Sequence, residues 1–105
     1  MQEIDNFNEL ENIIKNEKMP VILFGKADCN PCLALKNKLK NTKFNEPIKS
    51  YYLALDRNPD LASKLEIYSA PTLILFIDGK VAIKEAGVFS YDLILAKINE
   101  YSNLL

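Results

Sequence analysis

Apolar residues recur along the chain in two patterns, one of continuous runs and one of helical spacing. Continuous runs occupy residues 21–24, 51–55 and 72–77, and runs of this length are typical of strands buried on both faces. Residues 2–4 form a further short segment that we assign to an edge strand. Since Asp78-Gly79 is a hairpin signal, residues 80–86 are predicted to return as the partner of the third run.

Between these runs, apolar residues recur every three or four positions, which indicates helices that bury one face. Asp5 or Asn6 is expected to cap the first helix, which Pro20 would end. The second helix opens around Cys29, and Ser90 caps the last one. The third helix starts at Pro59. The predicted inward positions are Phe7, Leu10, Ile13 and Ile14 in the first helix, Cys32, Leu35 and Leu39 in the second, Leu61, Ala62 and Leu65 in the third, and Ile94, Ile98, Tyr101 and Leu105 in the last.

The resulting order is β-α-β-α-β-α-β-β-α. This order predicts an α/β fold with a central mixed sheet covered by helices on both faces. A length of 105 residues predicts a single domain over residues 1–105. Phe76 and Phe89 are assigned to the core. Of the strand residues Tyr51 and Tyr52, one is expected to point inward and the other outward, and the lysines at 36, 38 and 40 are assigned to a solvated helix face.

Charge and composition restrict the partners and the compartment. The net charge is −1, so no broad attraction to nucleic acid or to an anionic membrane is expected. No apolar run approaches the ~20 residues of a membrane-spanning helix. The segment MQEIDNFNEL lacks the basic start and apolar core of a secretory signal. We therefore expect a cytoplasmic monomer, in a compartment that does not favour a permanent disulfide.

Both cysteines of the chain lie in the segment KADCNPCL, with two residues between Cys29 and Cys32. Two cysteines placed at random in a chain of this length would have this spacing in about 2% of arrangements, which argues against coincidence. The chain has no His, so a Cys–His hydrolytic dyad is excluded. The reading that remains for a monomer is thiol–disulfide chemistry.

A metal site is the alternative reading of the same pair. A structural zinc site usually takes four Cys or His ligands, and one copy of this chain has two. A binding module whose dithiol holds a metal or an iron–sulfur cluster between subunits, or whose dithiol is not catalytic, therefore stays open at this point.

The position of the pair supports reactivity, because it follows a buried strand and opens a helix. Cys29 at the helix start faces unpaired backbone N–H groups and the positive end of the helix dipole. Both favour the anion, and we expect the pKa of Cys29 to lie below the usual value of about 8.5. Pro31 has the backbone angle of a first helical turn, and Cys32 would lie inside that turn and be more buried.

Taken together, these features resemble the thioredoxin family over nearly the whole chain. A Cys-x-Pro-Cys motif is moderately specific by itself, and it becomes strong in combination with a Pro-Thr pair at the right distance. The features that carry the resemblance are Cys29-Asn30-Pro31-Cys32, Asp56-Arg57-Asn58-Pro59, Ala70-Pro71-Thr72, Asp78-Gly79-Lys80 and Gly87.

The resemblance implies a thioredoxin fold and a protein disulfide reductase. Cys29 would attack a target disulfide and form a mixed disulfide, which Cys32 would resolve. No cofactor is expected beyond the redox-active pair, and the implied partners are disulfide-containing proteins and a flavoprotein similar to thioredoxin reductase. A glutathione-using relative of the glutaredoxins is a third reading, which the first strand and the Asp-x-Asn-Pro turn do not favour.

In the family, the proline that matches Pro71 follows a cis peptide bond and packs beside the dithiol. The resemblance therefore predicts a cis bond between Ala70 and Pro71. It also implies that the backbone of Ala70 pairs with a bound substrate chain.

The sequence departs from the family pattern at five positions near the pair. Asp28 and Asn30 replace the usual Trp and Gly, and Gly25 replaces a second Trp. Leu23 stands where the family has a buried Asp that handles a proton, and Tyr52 stands where a Lys often pairs with that Asp. The absence of both the Asp and the Lys is physically consistent, because a buried Lys without its acidic partner would destabilise the fold.

Three hypotheses follow from these departures. Cys32 has no evident built-in base, so its deprotonation would depend on water, the substrate or Asp28. The charge of Asp28 opposes the helix dipole and is expected to raise the pKa of Cys29, unless this side chain simply caps the helix or faces water. Lys26 and Asp28 also change the surface around Cys29, which would alter the choice of partner.

Overall fold

The computed structural model describes all 105 residues of the chain. One five-stranded sheet with helices on both sides organises them, as the sequence predicts. The elements are β1 (Gln2–Ile4), α1 (Phe7–Asn16), β2 (Met19–Gly25), α2 (Asn30–Lys40), β3 (Ile48–Ala54), a 3₁₀ turn (Leu55–Arg57), α3 (Pro59–Lys64), β4 (Thr72–Ile77), β5 (Lys80–Ala86) and α4 (Tyr91–Leu104).

The strands lie in the order β1-β3-β2-β4-β5. β1, β3 and β2 are parallel, whereas β4 and β5 are antiparallel to their neighbours. The predicted mixed sheet is therefore confirmed. Since β2 is central and all seven of its residues are buried, the loop that leaves its carboxyl end has a rigid base.

Each face of the sheet has its own apolar core. Leu10 of α1 and Leu61 of α3 belong to the cluster on one face, and Leu39 of α2 and Ile98 of α4 belong to the cluster on the other. Alternate residues of β2 supply both clusters: Ile22 and Phe24 join the first, and Met19, Val21 and Leu23 join the second. This explains why β2 is a continuous apolar run, since no face of it meets water.

Local signals set the helix starts. Asn6 caps α1, where its Oδ1 accepts a hydrogen bond of 2.9 Å from the Glu9 N–H, and the Glu9 carboxylate accepts one from the Asp5 N–H. Ser90 caps α4 by accepting from the Leu93 N–H at 3.3 Å. Pro59 occupies the first turn of α3, as expected.

The predicted role of Pro20 is wrong. α1 ends at Asn16 with Glu17 as its C-cap, and Pro20 is the second residue of β2. β2 pairs with β4 only from Val21 onward, so Pro20 lies at the start of the strand, where the missing N–H is tolerated.

The predicted inward stripe of α4 is too long. Ile94 and Ile98 are buried, but Tyr101 is 36% exposed and Leu105 is 57% exposed. The buried cluster on this face ends at Ile98, so the last turn of α4 has no core to cover. Leu55, assigned to a strand, instead begins the 3₁₀ turn.

The other core assignments are confirmed in part. Phe76 is buried, while Phe89 is half-buried and packs against the cluster that contains Ile98. Tyr51 and Tyr52 do lie on opposite faces, and both faces are covered, so Tyr52 is half-buried rather than free in water. No helix has the length and apolar character needed to cross a lipid bilayer.

Candidate redox site

The two cysteines lie where β2 ends and α2 begins. Cys29 is the N-cap of α2, with the extended backbone that caps adopt, and its Sγ accepts a hydrogen bond of 3.2 Å from the Cys32 N–H. Cys29 and Cys32 are joined by a disulfide with 5.2 Å between their Cα atoms. The expected helix start and the pairing of the two sulfurs are therefore both present.

The two sulfurs differ in access. Cys32 is 1% exposed, whereas Cys29 is half-buried and lines an open cavity of 360 Å³. Asn30 and Pro31 are exposed and form the first turn of α2 between them. A molecule approaching from solvent therefore meets Cys29 before Cys32.

Pro71 lies at the same end of the sheet as the cysteines. Phe24, near the end of β2, pairs with Thr72 at the start of β4, so the residue before Thr72 borders the loop that carries Cys29. The peptide bond between Ala70 and Pro71 is cis, as predicted. The Pro71 carbonyl accepts a hydrogen bond of 2.9 Å from the Gly87 N–H, which ties this turn to the end of β5.

Asp28 adopts a backbone conformation that the sequence did not predict. Its φ is +53°, in the left-handed region, and its side chain is exposed. Aspartate is one of the few residues that enter this region readily, which gives it a local reason to precede Cys29. Asp28 is not the helix cap, since Cys29 holds that place.

A second carboxylate, that of Asp56, binds the backbone of the loop that precedes Cys29. Asp56, in the 3₁₀ turn after β3, accepts a hydrogen bond of 3.4 Å from the Ala27 N–H. The sequence reading treated Asp56 only as part of a turn. A contact between residues 29 positions apart has no local signal, so only the fold shows this anchor.

Three of the five departures from the family pattern lie together, namely Leu23, Gly25 and Tyr52. Leu23 is fully buried and pairs in register with Tyr52 on β3. The Tyr52 ring lies over Gly25, where the added Cβ of any other residue would be 2.9 Å from the ring carbons Cε1 and Cζ. The tyrosine therefore needs glycine at position 25.

Lys36 is not the solvated helix residue that the sequence reading assigned. Its Nζ donates a hydrogen bond of 2.9 Å to Glu3 Oε1 and lies 4.3 Å from the centre of the Tyr52 ring. The hydrogen bond and charge of Lys36 lower the pKa of Glu3, and burial raises the pKa of Tyr52. Lys38 and Lys40 are exposed, as predicted.

A second, polar groove of 430 Å³ lies beside the cavity of Cys29, and its lining includes Glu3, Lys36 and Tyr52. Lys26, Ala27, Lys36 and Tyr52 line both spaces, so the two are continuous along the loop. No group of three or more His, Cys, Asp or Glu side chains is arranged to hold a metal ion. The reactive feature at this end of the sheet is the cysteine pair.

Comparison with known proteins agrees with this geometry. The family model described as Thioredoxin matches residues 2–100. The chain belongs to the thioredoxin family. The element order, the Cys-x-Pro-Cys motif at the start of α2 and the cis peptide bond before Pro71 agree with what the resemblance predicted.

Individual thioredoxins show the same likeness. The chain is 36% identical over 85 residues to a thioredoxin of Echinococcus granulosus, covering 75% of this chain and 79% of that protein. It is 31% identical over 81 residues to thioredoxin-1 of Saccharomyces cerevisiae, covering 76% of this chain and 79% of that protein. The crystal structure of oxidised mitochondrial thioredoxin 3 from the same yeast superimposes with a TM-score of 0.82, at 26% identity over 95% of this chain and 94% of that chain.

The chain is therefore a thiol–disulfide oxidoreductase, as the sequence predicts. The alternative of a metal-holding or cluster-holding module is not favoured by these relatives. Members of this family act on disulfide-containing targets.

Proposed function

We propose that the chain reduces disulfide bonds of other proteins, with Cys29 as the attacking thiol and Cys32 as the resolving thiol. The observation that supports this assignment is the unequal access of the two sulfurs at the start of α2. Cys29 borders an open cavity and Cys32 is 1% exposed. An attacking sulfur has to reach a foreign disulfide, whereas a resolving sulfur has to reach only its neighbour.

The first step is attack by the Cys29 thiolate on one sulfur of the target disulfide. The target S–S bond breaks, its second sulfur leaves with the electron pair and takes up a proton, and Cys29 becomes part of a mixed disulfide. The N-cap position favours the thiolate, because the first N–H groups of α2 have no partner within the helix. The Cys32 N–H already points at the Cys29 sulfur, at 3.2 Å.

The second step is attack by Cys32 on Cys29. Cys32 loses its proton and forms the intramolecular disulfide, and the target leaves as a thiol after it takes up a proton. The 5.2 Å between the Cα atoms is within the normal range for a disulfide, so the step needs no large backbone movement. Two electrons pass from the chain to its target.

The turn before β4 is the proposed site for the target backbone. Neither the N–H nor the carbonyl of Ala70 has a hydrogen-bond partner within the chain, so both are free to pair with an extended segment. Pro71 itself is buried, and the residues that flank Cys29 in the chain, Asp28, Asn30 and Pro31, are exposed. Tyr68 precedes Ala70 by two residues, and Val88 follows Gly87, whose N–H binds the Pro71 carbonyl. The two side chains are 87% and 100% exposed and offer apolar contacts.

The remaining parts of the cycle follow from the same chemistry. The oxidised pair has to be reduced again, and a flavoprotein similar to thioredoxin reductase is the proposed donor, so that the chain carries electrons without a bound cofactor. We place it in the cytoplasm as a single domain of 105 residues that acts as a monomer.

A reductase assay tests this function. With dithiothreitol as the electron source, the wild-type chain should reduce a protein disulfide faster than dithiothreitol alone. Cys29→Ser should remove the acceleration completely, and Cys32→Ser should allow at most slow turnover. Equal rates for wild type and Cys29→Ser would overturn the proposal.

A further inference from the structure

Lys36 is placed to act on the redox pair. It follows Cys32 by four residues on α2, and residues with this spacing share one face of a helix, with about 6 Å between their Cβ atoms. Lys36 also lines the cavity of 360 Å³ that exposes Cys29. Lys36 therefore lies one helical turn beyond Cys32, on the same face of α2.

Contacts from two strands hold this charge in place. Glu3 on β1 accepts a hydrogen bond of 2.9 Å from Lys36 Nζ, and the Tyr52 ring on β3 lies 4.3 Å from it. Glu3 and Tyr52 are themselves neighbours across the β1–β3 ladder. An ammonium group held by these two contacts keeps one position beside α2, unlike a lysine that moves freely in water.

The charge of Lys36 is less screened by water than the other charges around it. Lys36 is half-buried, with 26% of its side chain exposed, and the Glu3 side chain is 67% exposed. A half-buried charge acts with less screening than an exposed one. The remaining charged groups around it are all on exposed residues, namely Asp5, Glu9, Lys26, Asp28, Lys40, Asp56 and Arg57.

We infer that Lys36 is a positioning residue of this redox site and stabilises the thiolate of Cys32 electrostatically. Cys32 gives its proton to water, and Lys36 keeps its own proton throughout. The thiolate then attacks Cys29 of the mixed disulfide, the bond from Cys29 to the target breaks, and the target sulfur leaves with the electron pair. Lys36 thus supports the second step of the proposed function, on which this inference builds.

The size of the effect follows from the charge alone. Loss of a nearby opposite charge raises the pKa of a thiol by about 1, at the low end of the range for close pairs. The thiolate fraction near neutral pH then falls about tenfold, but the more basic thiolate is a better nucleophile, so resolution should slow only about threefold to fourfold.

Titration of Cys32 in a Cys29→Ser background tests the inference without any substrate. Lys36→Met should raise the pKa of Cys32 by about 1, and Lys36→Arg should leave it near the starting value. Lys38→Met is the matched control, because it removes the same charge from an exposed position on the same helix. Glu3→Gln should shift the pKa downward, since it removes the anion that offsets Lys36.

Opposite shifts in Lys36→Met and Glu3→Gln distinguish an electrostatic role from a loss of packing. The inference is overturned if Lys36→Met leaves the pKa of Cys32 unchanged, or if Lys38→Met shifts it equally. Glu3→Gln keeps the test valid if the methionine variant folds poorly, because an unchanged pKa of Cys32 in Glu3→Gln would then overturn the inference. Failure of Cys32 to resolve mixed disulfides would instead refute the proposed function, since the pKa is measured with no target present.

Discussion

The hydroxyl of Tyr52 occupies the space that a Cβ on Gly25 would fill, diagonally across two parallel strands. In the ladder, Tyr52 pairs with Leu23 and Gly25 pairs with Ala54, so the tyrosine leans along β3 toward the end of β2. A Cβ at position 25 would collide with the hydroxyl and lie 2.9 Å from two ring carbons. The small residue before the redox loop and the large one beside it therefore form one packing unit.

Replacing Gly25 should expose this coupling. Gly25→Ala is expected to lower the free energy of unfolding by about 1–3 kcal/mol, because the ring has to leave its place over the strand. In a Tyr52→Leu background the same substitution should cost clearly less. A denaturant double-mutant cycle measures the difference, and equal losses in both backgrounds would show that the ring is not what excludes the methyl group.

The negative charge of Asp28 should destabilise the thiolate of Cys29 and so raise the pKa of that thiol. Asp28→Asn removes the negative charge next to the helix start, and asparagine also tolerates a φ of +53°, so the loop should keep its shape. We expect the pKa of Cys29 to fall by about 0.5 in a titration of the reduced protein. Asp60→Asn, an exposed acid on α3, is the control and should have no such effect. An unchanged pKa in Asp28→Asn would mean that this carboxylate is fully screened by water.

Tyr51 should make the fold sensitive to alkali. Burial, together with a hydrogen bond to the Glu17 carboxylate, raises the pKa of its hydroxyl in the folded chain. This stabilisation is fully present below the unfolded pKa of about 10 and is lost as pH rises through the folded pKa, at up to about 1.4 kcal/mol per pH unit.

Urea unfolding between about pH 9 and pH 11 measures this slope. Tyr51→Phe should flatten it, whatever its effect at neutral pH. Tyr68→Phe is the matched control, since Tyr68 is 87% exposed. A slope in Tyr51→Phe as steep as in wild type would contradict the assignment.

The elements were predictable where a local pattern is enough to form them. The run at 72–77 became β4 with the same bounds, and Asn6, Cys29 and Ser90 cap helices where the pattern indicated. Pro20 was misread because proline breaks a helix interior but is tolerated at the start of a strand. The choice between the two depends on which strand lies alongside, which the local sequence does not contain.

The surroundings of the cysteines were predictable only in part. Spacing and helix position indicate Cys29 and Cys32, but Lys36 looks like any other lysine on a charged helix. Its contacts with Glu3 and Tyr52 join residues from β1 and β3 to α2, and they exist only after the sheet has formed. The spacing of four residues from Cys32 is the one signal in the sequence that pointed to it.

Trapping of the mixed disulfide tests the central assignment most directly. Reduced Cys32→Ser is mixed with an excess of a disulfide-containing peptide, and the adduct is mapped by mass spectrometry. The assignment predicts a stable adduct on Cys29 in this variant, and little or no adduct on the buried Cys32 in Cys29→Ser over the same time. Adduct formation on Cys32 at a rate equal to that on Cys29 would contradict the assignment of Cys29 as the attacking thiol.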